Sequence, residues 1–309
     1  MFEKILVTGG TGFIGRYVLD RLIRQGTCPV AAARRPAAAS PDLDFVELDI
    51  TDVRRVQEIV SSVRPDAVIH LAGIAGSQDP DGTRCHDINV TGTRNLLEAL
   101  SQSNCEGIVM IGSAAEYGTQ KTPFREIMSP LPASPYGRSK AEATALAMEM
   151  YAESGLPVTV LRVFTAYGIG QPEKMFLPLA INHALRGIPF AMTDGSQRRD
   201  HVHVEDVADA VVAALETDDA VGRIINIGSG TGVKLATIAE KVWELSHADP
   251  SLLTVGEPGP DPDSRLDTEA DISLAKKLLN WSPKIPLFDT SSEAGGLTRM
   301  FSHMRDKLR

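Results

Sequence analysis

The sequence predicts an α/β fold, a doubly wound parallel sheet followed by a second, smaller C-terminal domain. Three observations carry this. Short β-branched runs alternate with longer amphipathic segments from the first residues, which is the pattern of βαβ units. A glycine-rich turn joins the first run to the first helical segment. The alternation then breaks after Phe164, where Gly168, Gly170 and Pro172 follow in quick succession.

Taken in order, residues 4–8 are apolar enough for a strand buried on both faces. Ile14, Val18, Leu19, Leu22 and Ile23 fall at helical spacing and stop at Gly26. Strands are predicted at 30–33, 45–48, 67–72, 107–111 and 158–163, and helices at 52–63, 89–100 and across 140–151. Beyond 165 a helix is expected near 176–185 and a polar stretch at 193–200, after which 207–215 and 224–227 return to the helix and strand pattern. Residues 256–262 have loop composition, and the last amphipathic helix is expected at 272–279. The organisation expected is a dinucleotide-binding domain over 1–165, rejoined by about 202–228, and a substrate-binding domain over 166–309.

Composition sets the outer limits. With 309 residues, about 150 per domain gives two domains. Hydrophobic residues at 43%, with 26 Gly and 19 Pro, exclude disordered and collagen-like classes. The net charge of −9 leaves no global basic field for nucleic acid or an anionic membrane, so anionic ligands must be held locally. Cys28, Cys85 and Cys105 form no CxxC pair, which fits a reducing, cytoplasmic compartment. No apolar run approaches the roughly 18 residues of a membrane span, and the N-terminus lacks the marks of a signal peptide. A soluble, unprocessed chain is expected.

The turn at 8–15 is Thr8-Gly9-Gly10-Thr11-Gly12-Phe13-Ile14-Gly15. Gly9, Gly12 and Gly15 make a GxxGxxG variant of the Rossmann fingerprint, in which glycines let the backbone approach a pyrophosphate at a helix N-terminus. A P-loop does not fit, because Arg16-Tyr17 follows in place of Lys-Ser/Thr. The second strand ends in Arg34-Arg35 without the carboxylate that binds an NAD ribose, and a guanidinium suits a 2′-phosphate. NADP is therefore the expected cofactor, with NAD as the alternative.

Tyr136 and Lys140 stand at i and i+4, one helical turn apart on one face. A phenol with pKa of about 10 is a poor catalyst at neutral pH, and a neighbouring cation is expected to lower it. Ser113 follows the fifth strand at the carboxyl edge of the sheet, where open α/β sheets bind ligands. It can donate to a carbonyl or alkoxide oxygen. His201 and His203 alternate on one strand face, but no third ligand has matching spacing, so no metal is expected. Met148 and Met150 suit a core or a dimer contact.

With these residues in view, the chain resembles the extended short-chain dehydrogenase/reductases of the nucleotide-sugar epimerase/dehydratase/reductase group. The resemblance rests on TGGTGFIG at 8–15, LDITD at 48–52, HLAG at 70–73, NVTGT at 89–93, SAAEYG at 113–118, YGRSK at 136–140 and RDHVHVEDVADA at 199–210. It implies a catalytic triad of Ser113, Tyr136 and Lys140. It also implies cofactor contacts from Gly9, Thr11, Gly12, Phe13, Ile14, Gly15, Arg34, Arg35, Asp49, Ile50, Leu71, Ala72 and Gly73, with Tyr136 and Lys140 also meeting the cofactor. Asp49 and Ile50 would meet the adenine, and Lys140 the nicotinamide ribose. Ser113, Ala114, Thr165, Arg199 and Arg265 are the candidate substrate contacts. The resemblance further implies a homodimer formed by the long helix and the helix near Asn89.

Departures from the family pattern narrow the reaction. Dehydratases of the group carry an acid pair, or a Ser-Glu pair, after the catalytic hydroxyl, where this chain has Ala114 and Ala115, although Pro172-Glu173-Lys174 resembles a dehydratase segment. The family asparagine after the sixth strand is Thr165 here, and Arg265 stands nearer to Ala270-Asp271-Ile272-Ser273 than the family spacing. The resulting expectation is NADPH-dependent reduction of a nucleotide-linked 4-keto-6-deoxyhexose, with Tyr136 as general acid. The alternative is an NAD-dependent nucleotide-sugar 4-epimerase. A reading of another class is a cofactor-sensing binding protein on the same fold, although such proteins generally lose the Tyr or the Lys.

Overall fold

The computed structural model describes residues 2–36, 43–75, 82–256, 267–289 and 294–308. A seven-stranded parallel sheet organises the chain. Its strands are β1 (Ile5–Thr8), β2 (Val30–Ala33), β3 (Phe45–Glu47), β4 (Ala67–His70), β5 (Gly107–Ser113), β6 (Val158–Val163) and β10 (Ile224–Ile227). The strand order β10-β6-β5-β4-β1-β2-β3 reverses between β1 and β4, which makes the Rossmann topology and its switch point. Ligands of such sheets bind in the crevice outside the strand ends at that reversal.

All four residues of β1 are buried, as expected for a strand covered on both faces. Ile5 and Val7 point to one layer, where they meet Val18, Leu19 and Leu22 of α1 (Phe13–Arg24) and Val207 and Val211 of α6 (Val204–Leu215). Leu6 points to the other layer, made by α2 (Val53–Val63), α3 (Gly92–Ser101) and α4 (Pro135–Ser154). Met148 and Met150, both half-buried, pack against this second core.

The ends of these helices follow from local chemistry. Asp52 caps α2 by accepting from the Arg54 and Arg55 amides. Ser134 caps α4 by accepting from Gly137 N at 3.0 Å, with Pro135 in the first turn, and this fixes Tyr136 at the helix start.

After β6 the chain forms β7 (Thr165–Tyr167), α5 (Phe176–Arg186), β8 (Phe190–Met192) and β9 (Arg198–His203) before α6 and β10 rejoin the large sheet. It then adds β11 (Gly232–Lys234), α7 (Leu235–Ser246), β12 (Leu253–Val255), α8 (Ser273–Leu279) and α9 (Gly296–Asp306). A separate core of Tyr167, Leu177, Phe190, Val242, Trp243 and Phe301 holds α5, α7 and α9 together. The expectation that 272–279 is the last helix is corrected by α9. Its helically spaced Leu297, Met300 and Phe301 bury one face, while Arg299 and Arg305 keep the other polar. The helix expected from Asn89 begins instead as a π-turn, Asp87–Thr91.

Candidate active site

The turn after β1 needs glycine at two places. A Cβ on Gly9, which has φ +70°, would lie 2.6 Å from the Ala72 amide nitrogen, and one on Gly15 would lie 2.3 Å from the Gly9 carbonyl oxygen. The turn therefore folds back against the end of β4. Gly12 differs: it is exposed and forms the N-cap of α1 without a side-chain cap.

Around this turn lies a cleft of about 1110 Å³ at the switch point. Gly9, Thr11, Gly12, Arg34, Arg35, Asp49, Ile50, Leu71, Ala72 and Gly73 all line it. Phe13, Ile14 and Gly15 occupy the first turn of α1, outside the lining. The space is large enough for a dinucleotide, and the bare, uncapped helix N-terminus at Gly12 leaves room and amide dipoles for a pyrophosphate. The residues present thus fit such a cofactor. Arg34 and Arg35 are exposed at the end of β2. Partial burial pushes Asp49 upward, but the Thr51 bonds and the Arg34 charge together hold its carboxyl below the usual range.

Ser113, Tyr136 and Lys140 converge at the carboxyl ends of β5 and β6. Ser113 pairs in register with Val163, and its side chain is near enough to the Tyr136 phenol to favour the ionised form. The expected lowering of the phenol by Lys140 is not what the structure shows. Burial raises Tyr136 above its ordinary value, the Ser113 side chain works against this, and Glu116 adds to it. Desolvation pushes Lys140 itself below its ordinary value, and its Nζ donates to the Ile111 carbonyl. Ser113 is therefore the group that favours the phenolate here.

The substrate candidates divide. Ala114 is buried beside Ser113. Thr165 opens β7 and pairs with His201 of β9, and Arg199 lies two residues before that pair. One small sheet thus brings Thr165 and Arg199 near the end of β6. Asp200 accepts from Ser229 N, Ser229 Oγ, Gly230 N and Ala270 N at 2.6–3.0 Å, and Asp206 accepts from Lys284 N and Ile285 N at 3.0 Å. Both carboxylates serve backbone amides. Arg265 lies outside the described residues. His201 and His203 stand edge-on to Tyr167, and among the described residues no group of three His, Cys, Asp or Glu is placed to hold a metal ion.

Several site residues escape the sequence reading. Thr51, Arg84, Asp87, Ile88 and Thr91 line the cleft, the last three from the π-turn, an irregularity common at functional sites. Asn89 is buried and joins the cleft to α4: Oδ1 accepts from Ile74 N at 2.8 Å and Nδ2 donates to Ser139 Oγ at 3.0 Å. The sequence signal available for it is an Asn set between the apolar Ile88 and Val90.

The profile of the NAD dependent epimerase/dehydratase family matches residues 5–228, which spans the cleft, the Ser-Tyr-Lys cluster and β10. The chain belongs to this family. Among its members, the UDP-glucose 4-epimerase of Lactobacillus helveticus is 30% identical, over 91% of this chain and 92% of that protein. The crystal structure of Thermotoga maritima UDP-glucose 4-epimerase with UDP-glucose superposes with a TM-score of 0.90 at 29% identity, covering 99% of this chain and 100% of that one. The Thermus thermophilus UDP-glucose 4-epimerase complex with NAD gives 0.86 at 26%, covering 98% and 99%. Family membership makes the chain an enzyme of the extended short-chain dehydrogenase/reductase type. No helix among the described residues is long and apolar enough to cross a membrane.

Proposed function

We propose that this protein is an NAD-dependent 4-epimerase of a nucleotide-linked hexose. The observation that carries the reading is that Ser113 and Tyr136 stand together without a second acid or base: Ala114 and Ala115 follow Ser113, and Glu116 is fully buried in an ion pair; we read Ser113 and Tyr136 as the proton relay. Elimination of water needs a further acid and base, which these alanines do not supply. Epimerisation needs one group that takes a hydroxyl proton and returns it. Likeness to UDP-glucose 4-epimerases over nine-tenths of the chain supports this reading above the reductase.

A bound NAD would supply reversible hydride acceptance, held by the glycine turn, Asp49, Ile50, Leu71, Ala72 and Gly73. Tyr136 would take the proton of the sugar hydroxyl as hydride leaves the carbon that bears it, and would return the proton to the same oxygen when hydride is given back to the opposite face of that carbon; Ser113 would bond that oxygen, and Lys140 would orient the ribose side of the cleft. Residues 1–165, rejoined by about 202–228, would hold the cofactor. Residues 166–309, with Thr165 and Arg199 at their border, would hold the sugar nucleotide. A homodimer, through α3 and α4, is part of the same proposal.

One observation favours the NADPH-dependent 4-ketoreductase as a second reading: Arg34 and Arg35 directly follow β2, where a ribose-binding carboxylate is absent. Purified protein should interconvert UDP-glucose and UDP-galactose without net change in nicotinamide absorbance. Stoichiometric oxidation of NADPH on addition of a dTDP- or GDP-4-keto-6-deoxyhexose would overturn the epimerase in favour of the reductase.

A further inference from the structure

Beneath the site lies a charged pair that the relay does not use. Glu116 and Arg162 are 46 residues apart in sequence, 0% and 1% exposed, and joined by a 2.8 Å bond from Arg162 Nε to Glu116 Oε2. The other oxygen, Oε1, accepts from the Ser113 amide at 2.8 Å. Ser113 closes the motif by accepting from Ala115 N at 3.2 Å, so the strand end and the following turn form a reciprocal cap.

The pair is itself clamped. Arg162 Cζ sits 4.6 Å from the centroid of the Tyr117 ring, and the Tyr117 hydroxyl donates to Asn226 Oδ1 at 2.7 Å. A Cβ on Gly112 would lie 2.6 Å from Glu116 Oε1 and 3.2 Å from Arg162 Cγ, so the strand carries glycine where the pair needs space. Buried ion pairs give little net stability over apolar replacements, and Arg162 Nη1 has no hydrogen-bond partner among the described residues. The arrangement makes better sense as a clamp on one backbone amide than as a source of stability.

We propose that Glu116, held by Arg162, is a positioning residue that fixes the Ser113 backbone so that the Ser113 hydroxyl stays aimed at Tyr136. The inference rests on the reading of Ser113 and Tyr136 as the proton relay. Glu116 also acts on the relay through space: its charge opposes ionisation of Tyr136 and favours the charged form of Lys140.

The test is a cycle of Ser113→Ala, Glu116→Ala and the double variant, assayed on UDP-galactose, with NAD binding and circular dichroism as checks of folding. Ser113→Ala and Glu116→Ala should each lose roughly 10²-fold in kcat with KM within about threefold, and the double variant should fall no more than about threefold below Ser113→Ala. Glu116→Gln keeps an acceptor for the Ser113 amide but removes the charge. It should move the Tyr136 phenolate midpoint, read as the absorbance difference from Tyr136→Phe, to lower pH. Should Glu116→Ala fail to fold, Arg162 carries the test: Arg162→Lys should retain kcat where Arg162→Met loses it, and Arg162→Met should be non-additive with Ser113→Ala. Additive losses in the cycle, an unmoved midpoint in Glu116→Gln, or full kcat in Glu116→Ala would overturn the proposal while leaving the relay standing. Full kcat in Ser113→Ala would overturn the relay, and the proposal with it.

Discussion

Arg16, in the first turn of α1, donates from Nη2 to the Gly170 carbonyl at 2.6 Å. The neighbouring Tyr17 hydroxyl donates to the Ile169 carbonyl at 2.8 Å. The helix whose N-terminus borders the cleft thus holds the loop that leads from β7 to α5. Replacing both, as Arg16→Ala with Tyr17→Phe, removes two such bonds, worth about 1 kcal/mol each. The expected result is KM for the sugar nucleotide raised several-fold with the NAD Kd nearly unchanged, measured by steady-state kinetics and fluorescence titration.

Tyr136→Phe removes the proton carrier and keeps the ring. Turnover should fall by roughly 10³-fold or more, with NAD affinity within about twofold. A Tyr136→Phe protein that still epimerises at wild-type rate would show that the proton passes elsewhere.

Stability should depend on acid through three buried histidines. Burial pushes His70 down to about 3, and His201 and His203 down to about 4, from an ordinary value near 6.5. The unfolded chain therefore binds protons that the folded one refuses. Stability is fully present above about pH 6.5 and declines as pH falls toward 4 and 3, by roughly 2 kcal/mol per histidine at pH 5. Urea midpoints measured from pH 7.5 to 5 should show this fall. Replacing His70, which bonds Thr8 Oγ1 and Thr93 Oγ1, with Asn should flatten its slope by about one proton.

Arg34→Ala with Arg35→Ala should leave NAD binding within about threefold while costing tenfold or more in any NADP affinity, because only the 2′-phosphate calls for two guanidinium groups. Fluorescence titration with both nucleotides decides this. A tenfold loss of NAD affinity in the pair would contradict the assignment of these arginines.

Arg199→Ala should raise KM for the sugar nucleotide roughly tenfold and leave cofactor binding unchanged. Isothermal titration with UDP checks it directly. Equal losses for UDP and NAD would mean that Arg199 holds β9 together and does not hold substrate.

The large sheet was legible because its signals are local. Ile5, Leu6 and Val7 announce a strand covered on both faces, and the Gly9 turn has to sit where a strand feeds a helix. Helices α7 and α9 are not announced by the sequence pattern, although Ile238, Val242 and Trp243, and Leu297, Met300 and Phe301, carry helical spacing. Their flanks lack the βαβ rhythm that guided the rest. Glu116 and Arg162 were beyond reach for another reason: the pattern along a chain does not distinguish a solvated charge from one buried against a partner 46 residues away. The raised Tyr136 pKa escaped for the same cause, since spacing reveals the nearby lysine but not the burial.

The place of β10 at the end of the sheet bears on how the molecule is made. Its partner β6 is complete at Val163, yet the strand that covers its outer edge begins only at Ile224. In chain order, then, the outer edge of β6 stays without its partner until α5, β8, β9 and α6 have been made. Such edges recruit other chains, and closing this one requires a long loop. A chain ending after residue 165 would leave the β6 edge open and is expected to aggregate.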